Sequence, residues 1–162
     1  IQDDVLNHLD KDWDLLIAHP PCTYLSRAGA RWLYPKAGQL ELVRYEKGLK
    51  GKEFFMQLLN APTYKIAIEN PTPFKIFKLP KPTQAVQPYE FGHNFSKRTL
   101  LWLKNLTQLK PTDMINDYKP FLPSNTGGKK RGQKSSTGFV HNAKDAGRTF
   151  TGIAKAMAKQ WG

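Results

Sequence analysis

Three short apolar runs in this 162-residue chain each close on proline. Trp13-Asp14-Leu15-Leu16-Ile17-Ala18 runs into His19-Pro20-Pro21. Tyr64-Lys65-Ile66-Ala67-Ile68 runs into Glu69-Asn70-Pro71, and Gln84-Ala85-Val86-Gln87 into Pro88. Proline has no N–H for a ladder bond, so it ends a strand. Runs this short, bounded by breakers, read as buried strands. Thr99-Leu100-Leu101-Trp102-Leu103 is a fourth. Residues 40–60 have helical character: Leu42, Tyr45, Leu49, Met56 and Leu59 recur at spacings of three and four, and Phe55 widens the stripe. Gly48 and Gly51 work against a helix there. A short helix is predicted over 3–9. A final one places Ile153, Met157 and Trp161 on one face, with Thr149 or Thr151 as its cap. Strands alternating with helical segments predict a single α/β domain over 1–162, with a mostly parallel sheet and helices on both faces. Such sheets bind ligands at the carboxyl ends of their strands.

Charge narrows the partners. Lys and Arg total 25 against 13 Asp and Glu, a net charge of +12. Residues 81–162 carry 14 basic and 4 acidic residues, whereas 1–80 carry 11 and 9. A basic half predicts a polyanionic partner, most often nucleic acid. Lys129, Lys130, Arg131 and Lys134 fall in a Gly/Ser/Thr-rich stretch, and 105–147 reads as an irregular basic insertion. The apolar runs are too short to span a membrane. One cysteine excludes a disulfide framework and a Cys-based zinc cluster, and no metal-ligand set is read. No targeting segment is read at the start, so the expected setting is cytoplasmic.

Two residues at the proline-closed strand ends carry chemistry. A lone cysteine is usually a small buried hydrophobe. Cys22 differs in lying just past a strand end, behind two prolines that fix the backbone, where a rigid turn can hold a nucleophile out of the sheet. Glu69 ends a buried strand, where its carboxyl either faces a site or caps a helix at 72–78. Arg98, in Ser96-Lys97-Arg98-Thr99, is a candidate to hold a phosphate or an oxyanion.

Pro20-Pro21-Cys22 with Tyr24 or Leu25, Ser26 and Ala28-Gly29 behind it, together with Glu69-Asn70, resembles the cytosine-C5 DNA methyltransferase family. That family pairs a Pro-Cys after one strand with Glu-Asn-Val one strand later; here Pro71 replaces the valine. Lys97-Arg98-Thr99 is similar to its arginine-bearing strand, and Thr151–Ala158 to its final helix. The whole chain is similar to the short methyltransferase-like proteins of bacteriophages and prophages. The resemblance implies a Rossmann-like methyltransferase sheet that is shortened at its N-terminus, since the chain reads as starting near the family's third strand. It implies a thiolate at Cys22 attacking cytosine C6, Glu69 on the base edge, and Arg98 on the flipped base or its sugar–phosphate. S-adenosylmethionine would be the methyl donor, with Asp3 or Asp4, Pro20 and Gly152 against it. DNA would be the partner, met by Ser26, Lys97 and the basic residues at 129–134. The second expectation is a catalytically degenerate nucleic-acid-binding or counter-defence protein.

Overall fold

The structure is a computed structural model and describes residues 1–121 and 150–162. It is mixed α/β, and its residues group into two compact units. The first comprises Ile1–Ala85 and Thr99–Gln108; the second lies within Val86–Arg98 and Leu109–Gly162.

The first unit is built on strands β1 (Leu15–Ala18), β2 (Lys65–Asn70), β3 (Gln84–Val86) and β5 (Thr99–Lys104). All four proline- or apolar-defined runs are strands. They form one sheet in the order β1-β2-β5-β3. β1 pairs with β2 in parallel, Leu15 beside Lys65 through to Ala18 beside Ile68. β2 pairs with β5 in the antiparallel sense, Ile66 opposite Lys104 through to Asn70 opposite Leu100. The expectation of a mostly parallel sheet is corrected here. A parallel pair needs a long crossover. Helix α2 (Leu42–Leu59) supplies one between β1 and β2, whereas between β2 and β5 lie only single 3₁₀ turns at Lys75–Phe77 and Pro88–Glu90 and the short strands β3 and β4 (Phe95–Ser96).

The core of this unit gathers Leu25, Leu33, Phe55, Leu58, Ile66, Ile68, Phe77 and Trp102. Phe55 meets Trp102 edge-to-face at 5.0 Å between ring centroids. The helical stripe read from sequence holds in part. Phe55 is buried and Tyr45, Met56 and Leu59 pack against the core, whereas Leu42 and Leu49 are exposed and α2 also buries Gly48 and Leu58. Gly48, one of the two glycines that argued against a helix, is what lets it dock: a Cβ there would lie 2.2 Å from the Phe77 ring, whereas one on Gly51 would meet Leu25 at an ordinary 3.4 Å. The expected helix over 3–9 is a single 3₁₀ turn, Val5–His8. A short α1 (Ala30–Leu33) follows β1.

In the second unit β4 pairs in parallel with β6 (Lys119–Pro120). Phe95, Phe121 and Phe150 pack ring against ring. Helix α3 (Thr151–Trp161) buries Ile153, Met157 and Trp161, as the periodicity requires. Its N-cap is Phe150 rather than a threonine; Thr151 is the first helical residue, and Thr149 lies outside the described residues. Residues 105–121 of the predicted insertion are irregular apart from β6, while 122–147, with Lys129, Lys130, Arg131 and Lys134, lie outside the described residues.

Replacing Gly48 by alanine tests the docking of α2. A helical alanine gains about 1 kcal/mol of propensity over glycine, but overpacking a filled core costs about 1–3 kcal/mol. Phe77 is buried and cannot swing away. Gly48→Ala should lower the urea midpoint, and adding Phe77→Leu should restore part of it. A midpoint that rises with Gly48→Ala alone would show the helix docks elsewhere.

Candidate active site

The register of β1 and β2 decides what meets at their carboxyl ends. With Ala18 beside Ile68, the next residues out are His19 beside Glu69 and Pro20 beside Asn70. Both pairs are bonded. His19 Nδ1 and Glu69 Oε2 are 2.9 Å apart, and Asn70 Nδ2 donates to the Pro20 carbonyl at 3.0 Å. Asn70 is buried, and its Oδ1 has no hydrogen-bond partner among the described residues. The bond to Glu69 raises the pKa of His19 above the ordinary 6.5; the carboxylate's charge adds to this, and partial burial opposes it. So the imidazole donates its Nδ1 proton to the carboxylate and keeps its charge to higher pH than a solvated histidine.

The loops beyond are joined as well. The Cys22 carbonyl accepts from Leu25 N–H at 3.1 Å and Ser26 N–H at 2.8 Å, so the chain turns tightly straight after the cysteine. Leu25 is fully buried and anchors that turn in the core. Arg27 N–H donates to the Thr72 carbonyl at 2.9 Å, and Phe74 N–H to the Leu25 carbonyl at 2.7 Å. Ser26 bridges to Pro73 between them. The Cys22 loop and the Glu69-Asn70-Pro71 loop are therefore one bonded unit. Arg44, on α2, closes it from the side by donating from Nη2 to the Thr23 carbonyl at 2.8 Å. Gly29 makes room for that guanidinium, because a Cβ there would lie 2.8 Å from Nη2.

Cys22 is half-buried and takes no part in a disulfide. Glu69 does not cap a helix at 72–78: the 3₁₀ turn Lys75–Phe77 starts at Phe74 without a side-chain cap, and the carboxylate is bonded to His19. Sequence reasoning took His19 only as part of the motif and gave it no role. Two parallel strands that both close on proline would have paired positions 19 and 69.

The remaining expected residues are placed differently. Ser26 is buried, at 8% exposure, which leaves its hydroxyl little surface for a nucleic acid. Asp3 accepts from Asp4 N–H and His8, bonds that hold its carboxyl below the usual range. Asp4 caps the turn Val5–His8 by accepting from Leu6 N–H at 3.0 Å. The Pro20 carbonyl is taken by Asn70. Gly152 sits in the second unit, where its N–H meets His93 Nε2 at 3.0 Å and a Cβ would lie 1.9 Å from the Phe91 carbonyl oxygen. Arg98 and Lys97 also belong to the second unit. Arg98 is exposed, and the Lys97 ammonium lies over the rings of Phe121 and Phe150 at 5.7 and 5.8 Å.

Among the described residues no cluster of three or more His, Cys, Asp or Glu could hold a metal ion, and no helix is long and apolar enough to cross a membrane. Comparison with family models, curated proteins and solved structures finds no match. The functional reading therefore rests on the residues.

The His19–Glu69 contact has a measurable signature. In a proton NMR titration the His19 ring should titrate above 6.5, and Glu69→Gln should bring it down. The sign for stability follows from linkage. A folded-state pKa above the unfolded one gives stability that is fully present below about pH 6.5 and is lost as pH rises through the folded value. The stability gap between wild type and His19→Gln should therefore be wider at about pH 5.5 than at about pH 8.5. A gap independent of pH would mean that the pair carries no charge.

Proposed function

We propose that the chain is a DNA cytosine-C5 methyltransferase-like protein in which Cys22 is the nucleophile and Glu69 steadies the base. The observation that carries this reading is the in-register pairing of the two strand ends, which joins the Cys22 loop to the Glu69 loop and bonds Glu69 to His19. The parallel β1–β2 pair with α2 between its strands supports the finer reading of a Rossmann-like methyltransferase sheet.

The chemistry follows from the ring. C5 of cytosine is a poor nucleophile. Addition of the Cys22 thiolate to C6 forms an S–C6 bond and pushes the C5=C6 electron pair toward C5, making it enamine-like. N3 takes up a proton as the thiolate adds, Glu69 hydrogen-bonds the N3 and N4 edge and stabilises that protonated ring, and His19 fixes the orientation of the carboxyl through Oε2. C5 then takes an electrophile, the C5 proton leaves, and the returning electron pair expels Cys22. The base must leave the duplex first, at a few kcal/mol, and bound phosphates offset that cost.

The residues expected to hold S-adenosylmethionine do not fit the role. Asp3 and Asp4 are used in local caps, the Pro20 carbonyl in a bond to Asn70, and Gly152 in close packing against Phe91 and His93. No step here is routed through the donor. The same observation favours a second reading, a protein that binds nucleic acid without methyl transfer.

A reaction of the chain's own residues separates the two. Reversible addition at C6 lets C5 take up a solvent proton and lose its original hydrogen, so DNA tritiated at cytosine C5 should release tritium to water with no methyl donor present. Wild type should release it, Cys22→Ser should fall to background, and Glu69→Gln should slow release about 100- to 1000-fold. Release undiminished by Cys22→Ser would sink the mechanism. Salt-sensitive DNA binding that ignores S-adenosylmethionine, with no release, would establish the second reading.

A further inference from the structure

The tight turn after Cys22 leads to a cleft that neither the strand ends nor the basic second half explains. It has a volume of about 280 Å³ and is lined by Tyr24, Trp32, Glu41, Val43, Arg44 and Lys47. That is below the roughly 300–1,000 Å³ of sites that enclose drug-sized ligands. A single flat ring system is the fitting size of occupant.

Its walls are aromatic and cationic together. Trp32 is 58% exposed, which is unusual for the largest apolar side chain, and the Arg31 guanidinium lies 4.8 Å from its ring centroid. The Arg44 guanidinium and the Lys47 ammonium lie 5.0 and 5.6 Å from the centre of the Tyr24 ring. Arg44 is pinned there by its bond to the Thr23 carbonyl. One carboxylate lines the cleft, and it is engaged: Glu41 caps α2 by accepting from Val43 N–H at 3.3 Å and Arg44 N–H at 2.6 Å. The start of α2 is thus closed to an anion, and the positive charge available to one comes from side chains. The wider segment agrees. Residues 27–52 hold seven Lys and Arg against two Glu, net +5, while residues 1–26 hold five Asp against one Lys. The near-neutral first half is an acidic start followed by a basic stretch.

Exposed aromatic rings set among cations are what an unpaired nucleic-acid strand needs: a π-face for a base and positive charge for its phosphates. We propose that this cleft binds a single-stranded segment of nucleic acid, with one base stacked on Trp32 and the adjoining phosphates met by Arg44 and Lys47. The proposal rests on the nucleic-acid reading above and deepens it, since Thr23 and Tyr24 directly follow Cys22. A strand held here would keep neighbouring nucleotides unpaired beside the nucleophile.

The test is fluorescence anisotropy of a labelled single-stranded oligodeoxynucleotide of about twelve nucleotides, read on the full chain without cofactor. Trp32→Ala should weaken binding about 5- to 100-fold, the range set by loss of one stacked base. Trp32→Phe keeps a ring and should recover most of the affinity. Lys47→Gln should lower the salt slope by about 1. Binding by Trp32→Ala within about twofold of wild type, against the stacking range above, would overturn the proposal. So would competition by an acidic peptide of equal charge as effective as that by the oligonucleotide, because the cleft would then be only a cation patch. Tritium release by Cys22 is a separate readout. If Trp32→Ala binds normally and wild type releases tritium, the cleft reading fails and the proposed function stands. If Trp32→Ala loses binding and wild type releases none, the reverse holds.

Discussion

Everything at the candidate site depends on one alignment, Ala18 beside Ile68 in a parallel pair. A parallel pair in register continues past its last ladder residue as two chains side by side, about 4.8 Å apart. That spacing suits the first two hydrogen bonds, His19 with Glu69 and Pro20 with Asn70; past the turn at Cys22 the chain comes back antiparallel, and Leu25 pairs with Phe74 and Arg27 with Thr72. Each is worth only about 0.5–1.5 kcal/mol net. Their weight lies in being jointly satisfiable in a single register. A slip of one residue would set His19 against Asn70, strand the Pro20 carbonyl and turn the β2 core residues to the wrong face. Sheet register and site geometry are thus one property of the fold.

The prolines do a second job in this arrangement. They end the ladder at Ala18 and Asn70, so the residues beyond are released from pleated geometry and can turn. Cys22 is reached only after the Pro20-Pro21 pair, and its carbonyl at once takes two N–H bonds that reverse the chain. The reversal holds because Leu25 is sunk in the core and Gly29 admits Arg44 against Thr23. The glycine of Ala28-Gly29 therefore has a mechanical reason in this chain: a Cβ there would meet the Arg44 guanidinium at 2.8 Å and push it from its seat on the Thr23 carbonyl.

How much of this was legible beforehand varies with the physics involved. The strands were, because short apolar runs cut by proline have few other solutions. α3 was, because its periodicity involves large side chains alone. The buried face of α2 was legible in part. Apolar periodicity marked Tyr45, Phe55, Met56 and Leu59, which are buried or pack against the core, but also Leu42 and Leu49, which are exposed; the close approach at Gly48 is an absence of side chain that a hydrophobicity pattern cannot register. The direction of β5 was hidden for a similar reason. Apolar content marks a strand without giving its sense, which is set by the connection that precedes it. Glu69 and Cys22 were found by chemistry and position. His19 was passed over although its partner was known, because pairing positions across two strands requires the register to be assumed first. Trp32 was missed because it lies on a four-residue helix, too short for any periodicity to show.

Charge was read at too coarse a scale, and the consequence is functional. Halving the chain put +10 in the second half and +2 in the first, and drew attention away from the loop that carries the nucleophile. Screening at physiological salt acts over about 8 Å, so an anion approaching Cys22 senses its immediate neighbours far more than a half-chain sum. The residues next to Cys22 in the chain carry such neighbours: Arg44 is bonded to the Thr23 carbonyl, and Lys47 lies over the Tyr24 ring. For a reaction whose first demand is a base held out of its stack, cations beside exposed rings a few residues from the thiol matter more than a larger charge elsewhere. The first unit by itself holds Cys22, Glu69 with its histidine, and the cleft proposed for a strand. On the proposed reading, substrate would be met at the Cys22 loop rather than at the basic insertion.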